Sequence, residues 1–177
     1  LVEAECGWLY ETKHTDGRIA RINYTVWSDV YLCPECTSEV IFWDAAVDRS
    51  AAEVKDEFPC PHCSVNLSKR NMERAWVTSV DPDSQSIERQ PKRVPVLINY
   101  TIGGKRFEKK PDDSDRRLIE KIESTPVPYW VPTENVIDGK EIGRLRSIGV
   151  TRVHQIVPKR ANWVLGAYLS KCKNPRL

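Results

Sequence analysis

Hydrophobic and polar positions alternate in short stretches over the first third of the chain, and the stretches lengthen afterwards. Trp8 and Tyr10 alternate with other residues across 7–12, a strand pattern. Asp16-Gly17 is a strong hairpin signal. Residues 19–27 return from it with Ile22, Tyr24 and Val26 on one face, and 40–43 place Ile41 and Trp43 together. Residues 48–57 are polar and read as a loop or one helical turn. Residues 75–80 read as a strand closed by Asp81-Pro82-Asp83. Residues 93–102, rich in Val, Ile and Tyr, are the strongest strand, and Pro95 inside it argues for an edge or a bulge. Gly103-Gly104 turns it into a partner strand over 105–109. Asp112 or Ser114 caps a helix to about Ser124, with Leu118, Ile119 and Ile122 as its apolar stripe and an acidic first turn. Three prolines around Tyr129-Trp130 make 125–135 an ordered loop, and 141–147 suit a short helix. A last helix starts at Pro158, a favoured first position, and runs to about Lys171. Its wide apolar face carries Trp163, Val164, Ala167, Tyr168 and Cys172.

Between the early strands lie Cys33-Pro34-Glu35-Cys36 and Cys60-Pro61-His62-Cys63, two C-x2-C pairs separated by 23 residues. Two residues between thiolates let both sulfurs reach one ion while the backbone turns beneath it. Four thiolates suit tetrahedral zinc at about 2.3 Å. Such a shell is closed, so Cys33, Cys36, Cys60 and Cys63 are expected to hold a structural Zn2+ rather than a catalytic one. A redox dithiol would need no matching copy. Two local disulfides would suit an oxidising compartment, whereas the chain otherwise reads as intracellular. His62 reads as an exposed turn residue, and Cys6 and Cys172 as small buried hydrophobes. The fold expected is α+β. A zinc ribbon of short antiparallel strands is followed by a β-hairpin-rich region and two or three helices. The division expected is 1–74 for the first hairpin and ribbon, and 75–177 for a basic α+β region ending in the last helix.

The 177 residues suit one domain, or one with a small satellite. A globule of this size buries roughly 70% of its unfolded surface and needs no disulfide staple. No apolar run is long enough for a transmembrane helix, and the first ten residues lack the basic start of a signal peptide. The chain begins on Leu1 rather than Met, as expected of a piece of a longer polypeptide. The net charge of +2 conceals an asymmetry. Residues 1–63 carry 5 Lys/Arg against 12 Asp/Glu, a net of −7, and residues 64–177 carry 22 against 13, a net of +9. The cations cluster as Lys69 and Arg70, as Lys105, Arg106, Lys109 and Lys110, and as Lys159 and Arg160 at a helix start, where free N–H groups also suit a phosphate. These eight are the candidate nucleic-acid contacts; interleaved acids such as Glu73, Glu88 and Glu108 also fit a solvated face. There is no G-x-G-x-x-G, phosphate loop or HExxH. Asp83 with Glu108-Lys109-Lys110 mimics a nuclease metal set only loosely. His154 reads as a packed or surface histidine.

Several segments together carry a resemblance. They are Cys6-Gly7-Trp8-Leu9-Tyr10-Glu11-Thr12, Arg21 to Val30 (RINYTVWSDV), Phe42-Trp43-Asp44-Ala45-Ala46-Val47-Asp48, Val94-Pro95-Val96-Leu97-Ile98-Asn99-Tyr100, Gly104 to Asp112 (GKRFEKKPD), and Lys159-Arg160 with Trp163-Val164-Leu165. They look like a stretch of large prokaryotic adenine-specific DNA methyltransferases that carry a zinc ribbon, as found in restriction-modification systems. In that family the stretch lies between the glycine-rich S-adenosylmethionine motif and the Asp/Asn-Pro-Pro-aromatic catalytic motif. Neither motif occurs here; Asn174-Pro175-Arg176 is not the catalytic tetrapeptide. Only the four cysteines carry over residue by residue. Where the family more often has a threonine cap before the last helix, this chain has Val157-Pro158.

The resemblance implies a non-catalytic, zinc-binding inserted domain of a DNA methyltransferase. Its expected role is DNA engagement or target recognition in the cytoplasm, with methylation and S-adenosylmethionine belonging to the parent chain and no membrane partner. The alternative is a structural or protein-interaction module, in which the last helix docks on the rest of the methyltransferase chain or forms a homodimer.

Overall fold

The computed structural model describes residues 2–137, 139 and 142–172. The chain begins with α1 (Val2–Cys6), a 3-10 turn (Gly7–Tyr10), β1 (Glu11–Lys13) and the fourteen-residue β2 (Ile19–Leu32). The cysteine-bearing part follows with β3 (Glu39–Ile41), α2 (Phe42–Ala46), β4 (Val47–Asp48), β5 (Glu53–Val54), β6 (Glu57–Pro59), β7 (Asn66–Ser68) and β8 (Glu73–Arg74). Then come β9 (Trp76–Val80), β10 (Ile87–Pro91), β11 (Arg93–Ile102), β12 (Lys105–Lys109), α3 (Asp113–Ser124), α4 (Ile142–Ser147), a second 3-10 turn (Val153–Ile156) and α5 (Lys159–Cys172). The architecture is mixed α+β, and every named strand pair is antiparallel.

The main sheet runs β1-β2-β11-β12, with β3 and β8 pairing the far end of β2. β11 is central, and its run Val96, Leu97, Ile98, Asn99, Tyr100 is buried. That is why it reads as nearly continuous apolar sequence rather than as an alternation. Pro95 is accommodated by a register shift between Pro95 and Leu97 against β2, a bulge inside the sheet rather than an edge. Gly103 and Gly104 both adopt positive φ, 56° and 75°, as a two-residue hairpin matched to strand twist requires. The boundary expected between residues 74 and 75 is bridged by the sheet, because β2 pairs β11 from Arg21 to Asp29.

Three cores hold the chain together. One packs Tyr31, Val40, Phe58 and Leu67 around Cys33 and Cys60. A second joins Cys6, Leu9, Ile122, Trp163 and Ala167, and so ties both ends of the chain to α3. The third lies under the sheet at Ala20, Ile22, Ile98 and Tyr100. The α3 start is a capping box: Asp112 accepts from the N–H groups of Ser114 and Asp115, and the Asp115 carboxylate accepts from the Asp112 N–H.

Several elements differ from the sequence reading. Residues 7–10 form a 3-10 turn, not a strand, because Leu9 rather than the two aromatics is fully buried and Trp8 packs edge-on to Trp163 at 5.5 Å. Residues 42–46 are helical, which turns Phe42 onto Tyr31 and Phe58. The 48–57 loop contains a small hairpin, β4 with β5, whose turn is shaped by Asp48 accepting from the N–H groups of Ser50 and Ala51. Cys6 is buried as expected, but Cys172 is exposed. On α5, Trp163 and Ala167 are buried while Tyr168 is open, so only part of the expected apolar face is used.

Candidate metal centre and basic surface

The two cysteine pairs occupy matching turns. Cys33 N–H donates to the Ser38 carbonyl and Thr37 N–H to the Cys33 carbonyl. Cys60 N–H donates to the Val65 carbonyl and Ser64 N–H to the Cys60 carbonyl. Both turns close on a residue with positive φ, Thr37 at 56° and Ser64 at 63°. That conformation is strained for a side chain and is held by the geometry around it. In the second turn the His62 N–H also points at Cys60 Sγ, 3.4 Å away. His62 itself is exposed, with Nε2 against the Glu39 carbonyl, and is not a ligand.

These turns bring all four sulfurs within 4.8 Å of one another. Cys33 and Cys63 Sγ lie 3.7 Å apart, and Cys36 and Cys60 Sγ 3.8 Å apart. A tetrahedral ion with metal–sulfur bonds of about 2.3 Å requires edges of about 3.8 Å, so the donor set fits such an ion. Those separations are far beyond a disulfide bond, and all six cysteines are free. The protons are unevenly held. Hydrogen bonds from the Ser38 hydroxyl and N–H lower the Cys36 thiol to about 6. At Cys63 the Val65 N–H favours the thiolate, but burial and the sulfurs of Cys36, Cys60 and Cys33 outweigh it and push the thiol up to about 12. Four adjacent sulfurs resist ionising together; a bound cation would make all four thiolates favourable and expel the remaining protons.

Among the described residues this is the only group of three or more His, Cys, Asp or Glu side chains whose ligand atoms converge. The loose nuclease-like set does not converge. Asp83 is engaged by Lys159 and by the Val127 N–H, whereas Glu108 binds Arg49 and Asn99 across the sheet. His154 is buried, with Nε2 2.8 Å from Asp81. It ties the β9–β10 turn to the approach of α5.

The eight candidate cations divide into two groups. Lys105 and Arg106 lie exposed at the start of β12, Arg70 lies exposed beyond β7, and none of the three forms an ion pair among the described residues. Lys69 places its ammonium 5.1 Å above the Phe42 ring. Lys110, 82% exposed, stands 3.6 Å from Asp44. Lys69 and Lys110 stand against α2, whereas Lys105 and Arg106 lie at the β11–β12 turn, beside the Arg21 end of β2 and away from the cysteines. The other three serve the interior. Lys109 binds Asp112, Asp115 and the Lys13 carbonyl. Lys159, only 9% exposed, binds Asp83 and the Glu123 carbonyl. Arg160 lies over the Tyr10 ring, and burial lowers its basicity. The phosphate-binding helix start expected at 159–160 is thus occupied by the protein's own groups.

Comparison with protein-family models, curated proteins and solved structures finds no match to this chain. Among the described residues no helix is long and apolar enough to cross a membrane.

Proposed function

We propose that the four cysteines hold a structural zinc ion, making the cysteine-bearing part a zinc ribbon, and that the domain engages DNA without performing chemistry itself. In this reading it is an inserted domain of a DNA methyltransferase, and the parent chain supplies S-adenosylmethionine and the reacting groups. One observation carries the DNA role: Lys69, Arg70, Lys105, Arg106 and Lys110 remain solvent-facing, while the cations needed for folding are paired inside. A closed shell offers no coordination position for a substrate, so zinc here would fix the geometry of the surface.

The reading is tested by fluorescence anisotropy of a labelled duplex titrated with the zinc-loaded chain at several salt concentrations. Five phosphate contacts predict a log–log salt slope of about −4 to −5, and reversing Lys105 and Arg106 to glutamate should reduce it by about 2. Salt-insensitive or undetectable binding would refute it. A second reading, a protein-docking module, is favoured by Trp130, Leu165, Tyr168 and Leu169, which stand exposed on or beside α5. It predicts that the charge reversals leave methylation by the parent enzyme unchanged.

A further inference from the structure

A pocket opens where the sheet meets the cysteine-bearing part. Trp27, Ser28 and Asp29 of β2, Phe42 and Trp43 of α2, and Arg93 of β11 line a cavity of about 420 Å³. That size lies within the usual range for small-ligand sites. Trp27 leaves 41% of its surface exposed although its neighbour Ser28 is buried. Large aromatic rings at the mouth of a cavity are costly to leave in water and well suited to stacking.

The pocket is held ready by the fold. The Ser28 hydroxyl accepts the Trp43 N–H at 2.9 Å and donates to the Asp29 carbonyl, locking α2 onto β2. Phe42 packs on Tyr31 and Phe58 with ring centres 5.8 Å away in each case, within the core that contains Cys33 and Cys60. The charge around the rings narrows the ligand. Asp29 is shared by two guanidinium groups, Arg93 at 3.1 Å and Arg74 at 3.6 Å. Lys69 stands over the lining Phe42 ring and adds a further cation, whereas Lys110 is paired with Asp44 and adds no net charge. A cage for an ammonium ligand would need spare negative charge, and here the single lining carboxylate is already over-neutralised. A flat ring attached to an anion meets both features.

We infer that this pocket takes an unpaired nucleobase, stacked on Trp27 and Trp43, with its phosphate facing Arg93. The inference rests on the DNA reading above and adds the form of DNA that the domain prefers. Base-on-aromatic stacking is tolerant of sequence, so the pocket would sense an unstacked base rather than its identity. A single-stranded segment and a base extruded from a duplex present the same chemistry.

The test uses three labelled DNAs: a single strand of roughly 12 nucleotides, its perfect duplex, and the duplex with one extrahelical base. Each is titrated with the zinc-loaded chain and with Trp27→Ala, Trp27→Phe and Arg93→Gln. Trp27→Ala is expected to weaken binding of the single strand or the bulged duplex by about 5- to 150-fold while leaving the perfect duplex unchanged. Trp27→Phe should restore most of the loss, and Arg93→Gln should weaken the same DNAs and flatten their salt dependence. Which of the two DNAs responds distinguishes a single strand from an extruded base. Circular dichroism confirms that each variant is folded; if Trp27→Ala is not, Trp27→Phe against Arg93→Gln decides. Duplex binding that persists with no preference for unpaired bases and no effect of these variants would overturn the pocket and leave the DNA reading standing. Failure to bind any of the three overturns both. Equal binding of an acidic peptide of matched charge, with the same dependence on Trp27, also overturns it.

Discussion

Lys109 and Lys105 sit four residues apart on one strand, and their replacement by methionine should have opposite consequences. All three protons of the Lys109 ammonium are used: Asp112 at 2.6 Å, Asp115 at 2.8 Å and the Lys13 carbonyl at 2.9 Å. Its side chain is 14% exposed and that of Asp115 only 1%. Removing one partner of a buried ion pair costs about 3–5 kcal/mol. Here Asp115 keeps the Thr12 hydroxyl and the Asp112 N–H, which soften that cost. The half-exposed Asp112 pair adds less than about 1 kcal/mol, and methionine preserves the packing of the stem. The sum is roughly 2–4 kcal/mol, a fall in Tm of about 5–15 °C for a domain of this size. Lys105→Met, exposed and without an ion pair, should stay within about 0.5 kcal/mol of the parent. Urea unfolding followed by circular dichroism at saturating zinc measures both. In DNA titrations the ranking should reverse, with Lys105→Met weakened and folded Lys109→Met not. Equal stabilities for the two variants would refute the division of the cations into interior and surface groups.

Three further outcomes follow from the same geometry. Metal analysis should find one divalent ion per chain, and chelation or Cys36→Ser should loosen the core around Tyr31, Phe42 and Phe58; unchanged near-ultraviolet dichroism in chelator would count against the metal centre. At Asp112 burial opposes ionisation, but hydrogen bonds from Lys109, Ser114 and the Asp115 N–H outweigh it and hold the carboxyl well below its usual range. At Glu88 burial is likewise outweighed by Ser86, Arg152 and Thr151. Their unfolded values lie near 4, so their stabilisation is complete above about pH 4 and is lost as pH falls through the lower folded values; Asp112→Asn should flatten that acid limb, and an unchanged limb would refute the assignment. A Cβ at position 166 would lie 2.6 Å from Tyr129 Cβ, so Gly166→Ala should cost about 1–3 kcal/mol, whereas Gly143→Ala meets nothing within 4 Å and should be neutral or stabilising in the same melts.

What the sequence disclosed, and what it hid, follows from the range of the interactions. β11 was readable from end to end because a strand covered on both faces is apolar throughout, and its turn is written locally in Gly103-Gly104. The α3 start was readable because Asp112 and Asp115 cap within one turn. The four cysteines announce their convergence by spacing. Residues 7–10 misled because an aromatic alternation looks the same whether it spans a sheet or wedges between helices. Residues 42–43 misled because Ile41 and Trp43 suit a strand alternation, whereas the chain turns helical at Phe42 and packs that ring on Tyr31 and Phe58. Lys109, Lys159 and Arg160 looked like surface charge because their partners, Asp115, Asp83 and Tyr10, are settled only by the tertiary fold. The pocket was hidden for the same reason: Asp29 and Arg93 meet through strand pairing across 64 positions. A signal existed in the tryptophans at 27 and 43, one on each side of the first cysteine pair, but nothing local says that they face one cavity.

The β2–β11 pairing also governs how this protein can be divided. A fragment ending at residue 74 would retain both C-x2-C pairs and look self-sufficient, yet it would show the bare strand edge that β11 covers from Arg21 to Asp29. Unpaired edges of that kind recruit other chains. Such a fragment would be prone to clump or to swap strands, and its insolubility could be mistaken for a failure to bind metal. Supplied as a separate polypeptide, residues 75–177 should rescue it, making the pair a natural split for complementation.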